Sequence, residues 1–312
     1  MSSLKQGSMS KEKELPALPL MLLRAVPTMI RRQAPAEPND LQFSFRAEAF
    51  DREHLERYKR TFSGFQSAVP LTYFYLLAQR AHLAAMLNPE FPWPILGMVH
   101  VANAMVYHSA PKLNQGFFLN VSIEMPERAG TRKRVRPIYK VAFYQGNTLI
   151  AECHSTYQVG GGEAPKVGRR RELAAPDLQG YTCAELWQLG SETGRSYAQL
   201  SGDYNPIHLH PWLSRWFGFS RPIIHGMYSV AQAQADIESG LSAPLLAMDI
   251  TFRRPLILPA NAALHYLHNA SSQDTNSGMK LEQGQVMVTD ALGQKVYLDG
   301  EYGVSNDFNF KS

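Results

Sequence analysis

The stretch "PIIHGMYSVAQAQ", residues 222–234, decides the fold class of this 312-residue chain. Beyond His225 and Gly226 it carries repeated small side chains, and small side chains let a helix lie close to whatever surrounds it. Later segments alternate Val, Ile and Tyr with polar residues, which is typical of antiparallel strands. The sequence therefore predicts a central helix wrapped by an antiparallel sheet.

The pattern occurs twice. "PILGMVHVANAM" at residues 94–105 matches the first stretch at a constant offset of 129 residues, and residues 138–159 resemble residues 284–304. Each member of the second pair predicts two strands joined at a glycine-containing turn. We therefore expect an α+β fold with two repeats of an antiparallel sheet wrapped around a helix.

Changes in composition divide the chain into four parts. We expect an N-terminal arm at 1–40, a first repeat at 41–160, a Gly- and Pro-rich linker at 161–178 and a second repeat at 179–306. The arm contains the apolar stretch "LPALPLMLLRAVPTMIRR", which three prolines interrupt, so a membrane span or secretory signal fits it poorly. Gly240, in "ESGLSAP", is expected to end the second central helix.

Charge and cysteine content restrict the class of protein. A net charge of +4 is small for this length, and the basic run "RKRVR" at 132–136 has no interleaved aromatic residues. These features argue against a nucleic-acid partner. Cys153 and Cys183 are too few for a disulfide framework, so we expect a reduced protein of the cytoplasm.

The segment "SGDYNPIHLH", residues 201–210, carries the first candidate catalytic groups. Asn205 followed by Pro206 predicts a helix start, with His208 in the first turn as a neutral imidazole. Asp203 lies before the helix, so a turn can direct its carboxylate and the imidazole at one water molecule. Taken alone, an Asp and a His at a helix start are more often a cap and a structural residue.

A second cluster changes this balance. Gly226 begins the small-residue helix, where free backbone N–H groups suit a carbonyl oxygen that gains negative charge. Two proton-transfer groups and one such donor can add water across an activated double bond.

Three segments together resemble the MaoC-like dehydratases, also called R-specific enoyl-CoA hydratases, of the hot-dog fold: "YAQLSGDYNPIHLH" (197–210), "FGFSRPIIHGM" (217–227) and "ITFRRPLILP" (250–259). The double hot-dog members of that family also keep the motif only in the C-terminal half. At the offset of 129, the positions opposite Asp203 and His208 fall within "TYFYLLAQR", which has neither residue.

The resemblance implies roles for particular residues. Asp203 and His208 would activate water for addition to a trans-2-enoyl thioester of CoA or acyl carrier protein, and the Gly226 amide would hold the thioester oxygen. Asn205 would shape the motif loop, and His210 and His225 would be supporting groups. We expect Asn205, His225, Arg253 and Arg254 to be substrate-binding residues, with the two arginines as candidates for the phosphate groups of the substrate. No metal and no cofactor besides the substrate's own CoA or phosphopantetheine is implied. The family often has Asp at the place of Pro211 and Gly at that of Asn261, which leaves substrate detail open.

Partners and alternatives follow from the same residues. Exposed sheet edges favour a homodimer, and the apolar N-terminal half offers room for a long acyl chain. Three other functions stay open: a hot-dog thioesterase, a non-catalytic acyl-binding module, and a metal hydrolase that uses the two histidines of "HLH" with Asp203 and His225.

Overall fold

The computed structural model describes residues 13–30, 39–96, 98–126, 135–159, 175–274 and 280–304. The first residues of the expected arm, most of the expected linker and the start of the basic run at 132–136 lie outside this part of the chain.

The elements fall into two similar series. The N-terminal series is β1 (Lys13–Glu14), α1 (Leu18–Ala25), β2 (Leu41–Ala47), α2 (Arg52–Thr61), α3 (Leu71–Met86), β3 (Val99–Tyr107), β4 (Phe117–Glu124), β5 (Ile138–Gln145) and β6 (Thr148–Gln158). The C-terminal series is β7 (Thr182–Leu189), α4 (Thr193–Ser201), α5 (Pro211–Trp216), α6 (Gly226–Leu241), β8 (Leu245–Phe252), β9 (Ala260–Asp274), β10 (Lys280–Asp290) and β11 (Val296–Val304).

Among the described residues, all the strands join one eleven-stranded sheet in the order β1-β2-β4-β5-β6-β3-β8-β11-β10-β9-β7. Every pairing is antiparallel except that of β1 with β2. The two halves meet where β3 pairs with β8, with Met105 opposite Met248. The sheet is therefore continuous across the molecule.

Each half wraps its sheet around one long helix. α3 and α6 both have 16 residues, and most of their side chains are buried. A helix that is apolar on nearly all sides is expected in a core. Strands β4 and β5 alternate buried and partly exposed residues, so one face of the sheet covers the helices. This arrangement is the α+β double hot-dog fold that the sequence predicts.

The offset of 129 residues is wrong, although the repeat is real. "PILGMVHVANAM" does not form the first central helix, because its alternating part forms strand β3. The helix that corresponds to α6 is α3, which contains "TYFYLLAQR". Small residues are common to both stretches because β3 lies between two other strands and α6 lies inside the sheet. The two stretches share small residues because both are closely packed, although one is a strand and the other is a helix.

The predicted hairpins are confirmed. Strand β5 pairs with β6 and strand β10 with β11, both antiparallel. The turns contain Gly146 and Gly293, which both have positive φ. The expected helix end at Gly240 is wrong, since α6 continues to Leu241 and Ser242 takes the left-handed conformation with φ of 52°.

A buried polar network joins the halves. The Glu238 carboxylate of α6 accepts hydrogen bonds from the backbone N–H of Gln66 (2.7 Å), Ser67 (2.8 Å) and Leu245 (3.1 Å). On the same helix, Gln234 Oε1 accepts one from the N–H of Thr72, at the start of α3. Burial raises the pKa of Glu238, and its hydrogen bonds oppose that rise. In the part of the chain described, no helix is both long enough and apolar enough to span a membrane.

Candidate active site

The loop after α4 holds Asp203 in a fixed conformation. The loop begins at Gly202, whose φ of +75° lies in the left-handed region that glycine tolerates best. Asp203 Oδ1 then accepts a hydrogen bond from the N–H of Asn205 at 3.1 Å. The N–H of Asp203 donates to Ser201 Oγ at 3.2 Å. One carboxylate oxygen therefore orders the loop, and the other is left to bind a substrate or water.

His208 is buried and has a defined tautomer. Its Nδ1 lies 2.8 Å from the carbonyl oxygen of Ile223, which can only accept. Nδ1 therefore carries the proton, and Nε2 presents a lone pair. Burial, assisted by the neighbouring His225, lowers the pKa of His208 to about 3. The imidazole is neutral at physiological pH and can accept a proton.

The predicted reason for that neutral state is wrong. Residues Pro206–His208 form one 3-10 turn, in which His208 is the last residue, and the Asn205 side chain makes no capping hydrogen bond. The dipole of a helix that starts at Pro206 therefore does not explain why His208 is neutral. Burial beneath the loop keeps His208 neutral.

His225 connects the two sequence clusters. Its Nε2 donates to the carbonyl oxygen of Asp203 at 2.9 Å, and its ring stacks on that of His208 with centroids 3.7 Å apart. Burial lowers the pKa of His225 to about 4. Its Nδ1 has no hydrogen-bond partner among the described residues. His225 thus fixes the position of both Asp203 and His208.

Gly226 lies at the start of α6 and is partly exposed between buried neighbours. It is the first residue of the helix, and no side chain caps the turn that it begins. A Cβ atom at this position would lie 2.7 Å from Cε1 of Phe252, so only glycine fits beside that ring. The backbone N–H is therefore an available donor on the positive end of a long helix.

These groups lie in one place. The ligand atoms of Asp203, His208 and His225 are all within 4.8 Å of one another, and His225 directly precedes the start of α6. The cluster offers a carboxylate and an imidazole as proton acceptors next to an N–H donor. A carboxylate with two imidazoles can also bind a divalent cation.

Of the remaining predicted residues, Asn205 lies in the catalytic loop, whereas the others make their contacts outside the cluster. Asn205 Nδ2 lies 3.5 Å from the carbonyl oxygen of Met98, which ties the loop to the other half. His210 Nδ1 accepts from the N–H of Trp212 at the start of α5, so His210 serves α5 and lies outside the cluster. Arg253 forms an ion pair with Asp299 at 2.7 Å, and Arg254 reaches the carbonyl oxygen of Val296 at 3.4 Å. Both arginines therefore bind residues of strand β11 rather than residues of the cluster.

A cavity beside Asp203 contains residues that sequence reasoning missed. It encloses about 80 Å³ and is lined in part by Asp203, Tyr157, Leu83, Met86, Leu18 and Ala25. Tyr157 lies near the end of β6, Leu83 and Met86 belong to α3, and Leu18 and Ala25 belong to α1. No local motif marks these residues, because they come together only through the fold.

Comparison with known proteins supports the hot-dog fold and the class of hydro-lyases. Residues 176–278 match the family model described as "MaoC like domain". This part of the chain, which comprises most of the expected second repeat, is similar to the MaoC-like dehydratases.

Three further matches are consistent with this similarity. "3-hydroxyacyl-thioester dehydratase X" of Mycobacterium tuberculosis is 26% identical over 203 residues, which cover 63% of this chain and 69% of that protein. A crystal structure of HtdX from Mycobacterium tuberculosis has a TM-score of 0.64 at 18% identity and covers 84% of this chain and 99% of that one. A further Mycobacterium tuberculosis protein, described as having a double hotdog fold, has a TM-score of 0.54 at 10% identity, covering 86% and 96%. At these identities the two solved structures support the fold alone.

Proposed function

We propose that this chain adds water to trans-2-enoyl thioesters to give (R)-3-hydroxyacyl thioesters, or catalyses the reverse dehydration. The observation that carries the proposal is the grouping of Asp203 and His208 at the uncapped start of α6, with their side-chain ligand atoms within 4.8 Å. The similarity to a 3-hydroxyacyl-thioester dehydratase supports the same reaction class.

Asp203 and His208 activate the water. The unprotonated Nε2 of His208 and the free oxygen of Asp203 each accept a hydrogen bond from it, which directs an oxygen lone pair at C3 of the substrate. As the O–C3 bond forms, one of the two bases takes a water proton. That proton is then delivered to C2, so that hydroxyl is added at C3 and hydrogen at C2.

Gly226 stabilises the charge that develops. Attack at C3 shifts electron density to the thioester oxygen, which becomes enolate-like. The backbone N–H of Gly226 donates to that oxygen, and the aligned peptide dipoles of α6 favour negative charge there. Removing one donor of this kind typically costs about 10²–10³ in kcat.

The reaction uses no metal and no cofactor apart from the CoA or phosphopantetheine of the substrate. Proton transfer by Asp203 and His208 with a hydrogen bond from Gly226 is sufficient for it. Arg253 and Arg254 remain proposed contacts for phosphate groups, and Arg253 would first have to leave Asp299.

The remaining assignments are also proposals. The chain comprises an arm (1–40), a degenerate hot-dog (41–160), a linker (161–178) and a catalytic hot-dog (179–306), and it forms a homodimer. A cytoplasmic location is consistent with the free thiols of Cys153 and Cys183.

Product analysis with crotonyl-CoA tests the function. We expect loss of the ultraviolet absorbance of the conjugated enoyl thioester and formation of (R)-3-hydroxybutyryl-CoA, with no free thiol released. Release of free CoA would identify a thioesterase instead. Binding without turnover would identify an acyl-binding module.

A further inference from the structure

The cavity beside Asp203 has the character of an acyl-chain site. Leu83, Met86, Leu18 and Ala25 give it mostly apolar walls, and the described residues that line it include no Lys or Arg. Such a surface suits the hydrocarbon end of a thioester better than the phosphates of CoA. Because Asp203 lies in its wall, a chain bound there continues directly from the proposed reaction centre.

The segment of residues 13–30, here called the docked arm, forms part of the wall of this cavity. Strand β1 extends the sheet by pairing with β2. Arg80 of α3 donates from Nε to the carbonyl oxygen of Pro16 (2.7 Å) and from Nη2 to that of Leu15 (2.5 Å). The buried Thr28 hydroxyl accepts from the N–H of Ile95 at 3.1 Å. The docked arm is thus anchored at both of its ends.

The docked arm also contacts the catalytic loop. A Cβ atom on Gly202 would lie 2.5 Å from Cδ1 of Leu18, so the Leu18 side chain packs against the residue that precedes Asp203. Ala25 is completely buried and contributes to the same wall. One short helix therefore supplies two side chains to the cavity.

The size of the cavity limits what it can hold. An engineered cavity of about 150 Å³ accommodates benzene, whereas this one encloses about 80 Å³. With the docked arm in place, only a few carbon atoms beyond the reacting bond can enter. The arm thus occupies space that the N-terminal half would otherwise offer to a long chain.

We propose that the docked arm determines acyl-chain length, with Leu18 and Ala25 as specificity-determining residues. The inference rests on the proposed function, because it places the acyl chain next to Asp203. Longer acyl chains bind only when Leu18 is displaced or replaced, and an enlarged Ala25 excludes even medium chains.

Two substitutions and a matched control test this. Leu18→Ala enlarges the cavity, Ala25→Leu fills it, and Val26→Ala changes the next residue of the arm, whose side chain is 56% exposed. Hydration rates are measured with crotonyl-CoA and trans-2-decenoyl-CoA. Calorimetry with butyryl-CoA and decanoyl-CoA, which cannot be hydrated, gives a second readout that does not need turnover.

We expect Leu18→Ala to raise the ratio of long-chain to short-chain kcat/KM about tenfold and Ala25→Leu to lower it by a similar factor. Val26→Ala should leave the ratio unchanged, and the binding ratios should follow the same order. If all three variants share the wild-type ratios, the inference is wrong even when crotonyl-CoA is hydrated. If no substrate is hydrated but the binding ratios shift as expected, the proposed function fails, and only the role of the docked arm in selecting the length of a bound acyl chain stands.

Discussion

The two halves of the molecule share a scaffold but differ in the segment that leads into the central helix. In the N-terminal half, residues 62–70 connect α2 to α3. In the C-terminal half, the much longer segment 202–225 connects α4 to α6 and includes Asp203, His208 and α5. The first half therefore lacks the catalytic groups because it lacks most of the segment that would carry them.

The starts of the two helices differ in the same way. The N–H of Thr72 at the start of α3 donates to Gln234 Oε1, so this end is closed by a side chain of the other half. The start of α6 at Gly226 has no side-chain cap. The free helix start with nearby bases is the place where we propose that the reaction occurs, whereas the start of α3 is bonded by its neighbour and strengthens the fold.

The largest expected effect comes from the C-terminal half. His208→Gln should lower kcat for crotonyl-CoA by about 10²–10⁴, because it removes a proton acceptor next to Asp203. Steady-state kinetics measures the change. His210→Gln is the matched control, since His210 bonds α5 and lies outside the cluster. Equal loss in both variants would contradict the assignment.

Disrupting the buried polar network between the halves should lower the stability of the protein and have little effect on catalysis. Glu238→Leu leaves the N–H groups of Gln66, Ser67 and Leu245 without their acceptor. Leaving a buried donor of this kind unsatisfied costs about 1–3 kcal/mol in the free energy of unfolding. Urea denaturation measures it, with Glu238→Gln, which keeps an acceptor, as the milder variant. A cost below about 1 kcal/mol would show that the network does not hold the halves together.

The pH dependence of stability should involve both halves. Burial lowers the pKa of His82 and His100 in one half to about 3, and those of His208 and His225 in the other to about 3 and about 4. All four pKa values lie below the ordinary histidine pKa near 6.5. Between these values and pH 6.5, the unfolded chain therefore binds more protons than the folded chain. Stability therefore falls as pH falls from about 6.5 towards 4, by up to about 1.4 kcal/mol per pH unit for each histidine.

Urea denaturation at several pH values measures this slope. His82→Leu removes one of the buried histidines and leaves His208 in place, so the slope should fall by up to about 1.4 kcal/mol per pH unit. An unchanged slope in His82→Leu would contradict the burial of a neutral His82.

The smallest expected effect is that of metal removal. Asp203, His208 and His225 form the one group with metal-binding geometry found among the described residues. We expect dialysis against a chelator to leave the hydration rate within about twofold, because the proposed reaction needs only proton transfer and an N–H donor. Loss of activity that zinc or another divalent ion restores would favour the metal hydrolase.

Much of this site could be predicted from the sequence. Asp203, Asn205, Pro206 and His208 form a compact motif, and the "HG" of His225 and Gly226 lies only a short loop away. Local spacing thus identified the groups that the fold brings together. Alternation of apolar residues likewise predicted the hairpins β5–β6 and β10–β11, because strands of a half-buried sheet have a period of two.

Other features depend on contacts between distant residues. The pattern of small residues suited a strand at 99–107 as well as a helix at 226–241, and only the pairing of β3 with the distant strands β6 and β8 decides between them. The state of His208 follows from its contacts with Ile223 and His225 rather than from a helix dipole. Leu18 packs against Gly202 although the two residues are far apart in the sequence, which no local pattern could indicate.

The central claim is that a single site at the start of α6 performs the reaction, and comparing Asp203→Asn with wild type tests it most directly. The absorbance of crotonyl-CoA is followed with both proteins at equal concentration, after circular dichroism has established that both are folded. We predict that wild type removes the enoyl absorbance and that Asp203→Asn is slower by about 10²–10⁴. Equal rates in the two proteins would contradict the account.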